Sequence, residues 1–316
     1  MKRALELGIR IEFSPSKNGL TKLEYGKDVI FLKGSNAPVM RQMGNFTRDK
    51  EVTKMIFDAV GIRTPKGIVA DSFKSAAAAI KKRRLSYPVI LKPTHGSRAL
   101  GVTWDIRSEK DLFVAFSHFK EIEAEHTLKY NTFLVEEMFI GHEYRVLVLN
   151  GKVISCVQKI PASVIGDGIS SIKKLISAFN KTRLRGFKMK VDATVEKTLK
   201  ENGLTLSSIL PKKRVLRLRN NLNMSDGGRS IDVTKKMHPF FREICVCAAK
   251  AAGLSFGGVD VIAEDIATDK KGYVLLEINP NPYYNMNEKP LVEGRGADVS
   301  YLLLKQVFPK LMLPKK

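Results

Sequence analysis

The sequence is poor in cysteine. It has three in 316 residues, and Cys156, Cys245 and Cys247 cannot close a disulfide framework. Cys245 and Cys247 lie in the apolar run Ile244-Cys245-Val246-Cys247-Ala248-Ala249, which predicts a helix whose thiols pack in the core. No further ligand at zinc-finger spacing accompanies them, and a reducing cytoplasm is the expected compartment. Long apolar runs are missing as well. The first residues, MKRALELGIRIEF, are broken by Glu6, Arg10 and Glu12, so no signal-peptide core is expected. No stretch approaches the length that spans a bilayer, so no membrane partner is expected. Internal repeats and low-complexity linkers are absent. Acidic residues are scarce beside basic ones, 32 against 54, for a net charge of +22. Such an excess fits an anionic ligand, an acidic partner or nucleic acid, and equally a lysine-rich solvated surface.

What is present is ordinary globular material, 44% hydrophobic and 27% charged. The length suggests two or three packed subdomains. Leu23 to Tyr25 and Val29 to Leu32 read as strands. Asp49 reads as a cap for a helix from Lys50 to Phe57, and Ser72 to Arg84 as an alanine-rich helix. Further strands are expected at Pro88 to Pro93, from Val102, at Phe133 to Val135 and at Tyr144 to Leu149. The last of these ends in an Asn150-Gly151 hairpin turn. Residues from about 165 to 210 read as mainly helical and polar, an insertion that leaves the central sheet. Strand character returns at Val215 to Leu218, Val259 to Ile262 and Tyr273 to Ile278, and a helix from Asp298 to Val307 follows. Strands and helices mixed without regular βαβ alternation predict an α+β fold.

Three local patterns carry chemistry. Asp260 sits in an apolar strand pattern, and Glu277 and Asn279, two apart on another, project from one face. Oxygen ligands on a burial-prone strand are costly unless a cation or partner compensates, and magnesium suits carboxylate and amide oxygens; the bland reading is a satisfied polar cluster. Lys92-Pro93 precedes a loop containing Gly96, Ser97 and Gly101, where backbone N–H groups and a lysine can meet phosphate, although strand-to-loop glycines are often only turn formers. The segment Glu136-Glu137-Met138-Phe139-Ile140-Gly141-His142-Glu143 joins two strands. It can present backbone groups to an adenine edge, Phe139 to its face and Glu143 to ribose, or be an acidic surface hairpin.

In their order along the chain these patterns resemble the ATP-grasp ligases. The similarity is closer still to the ligase domain of cyanophycin synthetase and the ligase half of bifunctional glutathione synthetase. Val164-Ile165-Gly166-Asp167-Gly168, Leu218-Arg219 with Asn223, Gly227-Gly228, Ile231-Asp232-Val233-Thr234 and Glu277-Ile278-Asn279-Pro280-Asn281-Pro282 carry it, and it extends from about Leu20 to Pro309. The resemblance implies an ATP-grasp fold in which nucleotide is held between two α+β subdomains, with a short N-terminal segment. Residues 1–48 would be that segment, 49–134 the lid-bearing subdomain, and 135–316 the metal-bearing subdomain with the helical insertion.

The same resemblance implies residue roles. Lys50 and Lys92 would meet the nucleotide phosphates, and Gly96 and Ser97 would belong to a lid loop. Glu136, Glu137 and Phe139 would receive adenine and Glu143 ribose. Asp260, Glu277 and Asn279 would hold magnesium, with manganese an alternative, while Arg219 would stand near the transferred phosphate and Lys159, at a basic position after the hinge strand, would be catalytic with it. Ala99 and Tyr283-Tyr284 depart from the family pattern without touching the metal or hinge residues. The implied activity is ligation of a carboxylate to an amine of an amino-acid or peptide substrate through an acyl phosphate, releasing ADP and phosphate. No second catalytic domain is recognisable, so one ligation is expected.

Basic clusters at Lys81 to Arg84, Lys181 to Lys190 and Lys212 to Arg214, with Arg217 and Arg219, suggest that at least one substrate is anionic. A nucleotide-binding protein without ligase activity and a basic nucleic-acid-binding protein are the competing readings. Intact Asp260, Glu277 and Asn279 count against the first, and the lack of nucleic-acid-binding signatures against the second. The resemblance is compatible with a homo-oligomer.

Overall fold

The computed structural model describes residues 2–13, 20–26, 28–33, 47, 50–94, 101–126, 132–181, 183, 185–268, 272–290, 292 and 294–313. Asp49, Gly96, Ser97 and Ala99, all given roles or remarks above, lie outside the described residues. In chain order the elements are α1 (Lys2–Glu6), β1 (Arg10–Phe13), β2 (Leu20–Tyr25), β3 (Asp28–Lys33), α2 (Lys50–Ala59), β4 (Gly67–Ala70), α3 (Phe73–Arg83) and β5 (Val89–Pro93). There follow β6 (Thr103–Ile106), α4 (Glu109–His126), β7 (Phe133–Glu137), β8 (His142–Leu149), β9 (Lys152–Ile160), β10 (Ser163–Ile165), α5 (Ile172–Lys181) and α6 (Ala193–Glu201). The chain continues with β11 (Val215–Arg217), β12 (Arg229–Asp232), α7 (Pro239–Ala251), β13 (Phe256–Ala263), β14 (Tyr273–Asn279), α8 (Asn285–Glu288) and α9 (Val299–Val307). Helices and largely antiparallel sheets are mixed, as the α+β expectation requires. None of the described helices is long and apolar enough to cross a membrane.

Packing divides the chain into two units, one of residues 1–157, 232–289 and 295–316, the other of 158–231 and 290–294. The chain leaves the first unit along β9 and returns to it along β12. In the first unit a four-stranded sheet, ordered β4-β7-β5-β6, packs α3 and α4 around Ile80, Val89, Leu91, Leu112, Phe119 and Val135. Helix α3 starts where Ser72 and Ser75 exchange hydrogen bonds in a capping box, and it stops at Arg84, whose φ of 51° is left-handed. A five-stranded sheet, ordered β12-β9-β8-β13-β14, carries Arg145, Asp260 and Glu277. Its β8–β9 turn is Asn150-Gly151, with φ of 46° and 73°, the positive pair that a two-residue hairpin needs. At the chain ends Leu7, Ile9 and Leu23 share a cluster with Phe308 and Leu311.

The second unit closes its own core with Ile172, Ile176, Val195, Leu199, Leu216 and Leu218, around α5, α6 and the β10–β11 pair. All three cysteines are free thiols. Cys245 is buried in α7 but Cys247 is exposed, which corrects the expectation that both pack inside. Two residues along a helix turn the side chain by about 200°, so one thiol faces the core and the other solvent.

Candidate active site

Strand pairing brings the acidic residues together. Asp260 of β13 is opposite Glu277 of β14 and, on its other side, opposite Arg145 of β8. Asn279, two residues beyond Glu277, has Nδ2 3.0 Å from Glu277 Oε1 and 3.3 Å from Asp260 Oδ2. Asp260 is buried, and both its oxygens accept from Arg145, Nε to Oδ1 and Nη2 to Oδ2, each at 2.7 Å. Burial works against the Arg145 charge, yet the facing Asp260 carboxylate outweighs it and raises the guanidinium above its ordinary value. Gly258 leaves room for this pair, since a Cβ there would meet Pro282 at 2.6 Å and Arg145 Cδ at 3.1 Å.

No group of three or more His, Cys, Asp or Glu side chains is poised for a metal among the described residues. The donor set is instead two carboxylates and one amide. These are hard oxygen ligands of the kind magnesium takes when phosphate oxygens complete its shell. The Asn279 amide turns its NH2 toward the carboxylates, and rotating it would present its oxygen to the same point. The residues therefore fit a magnesium ion.

A second buried charge cluster lies in the four-stranded sheet and α2. Glu136 of β7 is 3% exposed and receives Lys54 Nζ at 2.6 Å on one oxygen and Lys92 Nζ on the other. Lys54 also donates to the Pro65 carbonyl. Gly67, facing Glu136 across the strands, has no space for a side chain: a Cβ would lie 2.7 Å from Glu136 Cγ and 3.1 Å from Lys54 Nζ. Burial alone would raise the Glu136 carboxyl, but the Lys92 and Lys54 charges outweigh it and hold the group below its ordinary value.

The stability this brings is complete above the ordinary carboxylate range, about 4, and is lost as pH falls through the lowered folded value. Urea unfolding of wild type and Glu136→Gln should therefore differ most at neutral pH and converge in acid. A difference independent of pH would remove the charge argument.

The hinge after β7 is more committed than its sequence suggests. Glu137 accepts the Ser86 N–H at 2.9 Å through its carboxylate, and its own N–H donates to Lys66 O at 2.9 Å. Met138 N–H donates to Pro88 O at 2.9 Å. Phe139 N–H has no partner among the described residues. Lys50 opens α2 with its N–H 3.4 Å from Thr94 O, at the end of the strand that carries Lys92. Glu143 is half-buried on β8, opposite Ile262.

In the second unit Lys159 is half-buried on β9. Arg219 is buried just after β11, and its Nη2 donates to Asp192 Oδ2 at 2.5 Å and Lys190 O at 3.1 Å. Asp192 also caps α6 through the Val195 N–H. The Gly166-Asp167-Gly168 turn is fixed by Asp167, whose carboxylate accepts the N–H groups of Ser170 and Ile169 and is thereby lowered to about 2.

Two residues of these clusters, Lys54 and Arg145, were not expected from sequence. Each had a signal. Arg145 interrupts the apolar strand from Tyr144 to Leu149, where a charge needs a partner, and Lys54 adjoins the buried Thr53 and Phe57 of an amphipathic helix.

A family model described as "Prokaryotic glutathione synthetase, ATP-grasp domain" matches residues 53–210, half of the chain. Cyanophycin synthetase of Crocosphaera subtropica is 34% identical over 270 residues, covering 83% of this chain and 30% of that protein. The glutathione biosynthesis bifunctional protein of Enterococcus faecalis is 30% identical over 332 residues, 98% of this chain and 42% of that protein. Among solved structures, a bifunctional glutathione synthetase from Pasteurella multocida matches with a TM-score of 0.70 at 27% identity, over 96% of this chain and 42% of that one. The chain thus spans less than half the length of each of these relatives.

Proposed function

We propose that this chain, which belongs to the family of prokaryotic glutathione synthetase ATP-grasp domains, joins a carboxylate to an amine in an ATP- and magnesium-dependent reaction. The observation that carries the reading is the row Arg145–Asp260–Glu277 with Asn279 beside it, an oxygen cluster, buried at Asp260 and half-buried at Glu277 and Asn279, that suits a cation shared with nucleotide phosphates. A bound magnesium ion would neutralise charge on those phosphates. Lys50 and Lys92 add positive charge, the hinge offers Phe139 N–H to the adenine edge, and Glu143 takes the ribose. Gly96 and Ser97 complete the set as part of a lid that excludes water, with residues 49–134 and 135–316 as the two nucleotide-holding subdomains. Arg219 and Lys159 serve the transferred phosphoryl group.

A carboxylate oxygen of the substrate attacks the γ-phosphorus, and the bond to ADP breaks. The amine nitrogen then attacks the acyl carbon, the carbon–oxygen bond to phosphate breaks, and the nitrogen releases its proton. No enzyme nucleophile takes part. The substrates we assign are amino acids or peptides, at least one of them anionic, and the free thiols agree with a reducing cytoplasm.

An ADP-release screen over amino-acid and dipeptide pairs, with mass spectrometry of the products, tests the reading. At least one pair should release ADP and gain an amide with the loss of one water. ADP release without any amide product, across the whole screen, would count against it.

Lys92 gives a separate test. Lys92→Ala should weaken binding of a non-hydrolysable ATP analogue by about 10- to 100-fold, the worth of one or two charge-assisted hydrogen bonds. Lys54 remains to hold Glu136, so the fold should persist. Unchanged affinity by calorimetric titration would leave Lys92 as no more than a counter-ion for Glu136.

A further inference from the structure

Three charged groups meet in one cluster of the first unit, and their charges do not cancel. Glu136 Oε1 accepts from Lys54 Nζ at 2.6 Å and its Oε2 accepts from Lys92 Nζ, with both lysine side chains 13% exposed. Burial works against the Glu136 charge, but the Lys92 and Lys54 ammonium groups outweigh it and keep the carboxylate ionised. Two cations on one anion leave a positive charge over. Neither lysine has a second carboxylate within ion-pairing distance among the described residues. A surplus charge largely removed from water is costly, and an anion brought beside it would relieve that cost.

The two lysines are not equivalent. Lys54, on α2, spends a second donor on the Pro65 carbonyl, just ahead of β4. Its Nζ is also so near Gly67 that a Cβ there would lie 3.1 Å from it. Lys54 is thus tied on two sides. Lys92, on β5, has Glu136 as its one partner among the described residues. An ammonium carries three donors, so two of those on Lys92 are left to turn toward a ligand.

We propose that Lys54 is a positioning residue for the nucleotide: it neutralises Glu136, so that the Lys92 charge stays available to phosphate. The inference rests on the assignment of Lys92 to the nucleotide phosphates above, and adds a residue that acts without touching the ligand. Without Lys54, Glu136 has Lys92 as its sole counter-ion among the described residues, and phosphate must compete for it with a buried carboxylate. Removing Lys54 and the Glu136 charge together ends that competition.

The test is calorimetric titration of the full chain with a non-hydrolysable ATP analogue and with adenosine, which has no phosphate. The ratio of analogue Kd to adenosine Kd cancels any loss at the base and any general loosening of the fold. Lys54→Met should raise this ratio about tenfold. Adding Glu136→Gln to Lys54→Met should bring it back to within about threefold of wild type, although a second native group is gone. If Lys54→Met does not fold, Lys54→Gln, which keeps a donor for the Pro65 carbonyl, takes its place with the same expectation.

A ratio as high in the double variant as in the single one overturns the proposal, because a merely structural lysine gives that result. An unchanged ratio in the Lys54 variant beside a raised one in Lys92→Ala overturns it too, and spares the nucleotide assignment of Lys92. An unchanged ratio in both would remove that assignment, and this inference with it.

Discussion

Glu277→Gln should lower ligation about 100- to 1,000-fold in kcat/KM, the equivalent of several kcal/mol of lost charge stabilisation around a metal-bridged phosphate. It should change stability by no more than about 1 kcal/mol. The separation follows from the position of the side chain. Glu277 is half-buried at the end of β14, and its carboxylate accepts a hydrogen bond from the Asn279 amide, which glutamine can still receive. It does not hold the Arg145 fork, which is occupied by Asp260. Turnover from a coupled ADP-release assay and the urea midpoint of the same preparation decide the matter. Near-normal turnover at saturating magnesium would take Glu277 out of the metal site, and a large stability loss would make it a structural residue.

Arg145→Met should destabilise the protein by about 3–5 kcal/mol, because it strands the buried Asp260 carboxylate without its counter-charge. Combining it with Asp260→Leu should restore a large part of that loss, since removing both charges is far cheaper than removing one. Urea denaturation of the two single variants and the double variant gives the coupling directly. Additive losses would mean that the two groups do not depend on each other. The same pair explains why Asp260→Asn is a poor probe of metal binding: it leaves Arg145 buried and uncompensated, so lost activity would mix two causes.

Local chemistry was legible in the sequence and long-range pairing was not. The Asn150-Gly151 turn and the shared face of Glu277 and Asn279 follow from φ preferences and a period of two, which need only neighbouring residues. The partner of Asp260 is 115 positions away, and that of Lys54 is 82 away. Strand order decides the first and the placement of α2 the second, and no local pattern encodes either. Helix α4 carries its own signal, with Leu112, Ala115, Phe116 and Phe119 buried at helical spacing, and no expectation included it. Within the candidate site the residue types were readable, but their engagement was not. The Glu136 carboxylate is held by Lys54 and Lys92, and Glu137 by the Ser86 amide.

The central claim is that a substrate carboxylate is phosphorylated before the amine attacks. It is tested most directly with a carboxylate substrate found in the ADP-release screen and labelled with oxygen-18 in both carboxylate oxygens. Each turnover should place one labelled oxygen in the released phosphate and leave the other in the new amide, as mass spectrometry of both products would show. Phosphate free of label, with both heavy oxygens remaining on unreacted or hydrolysed substrate, would contradict it.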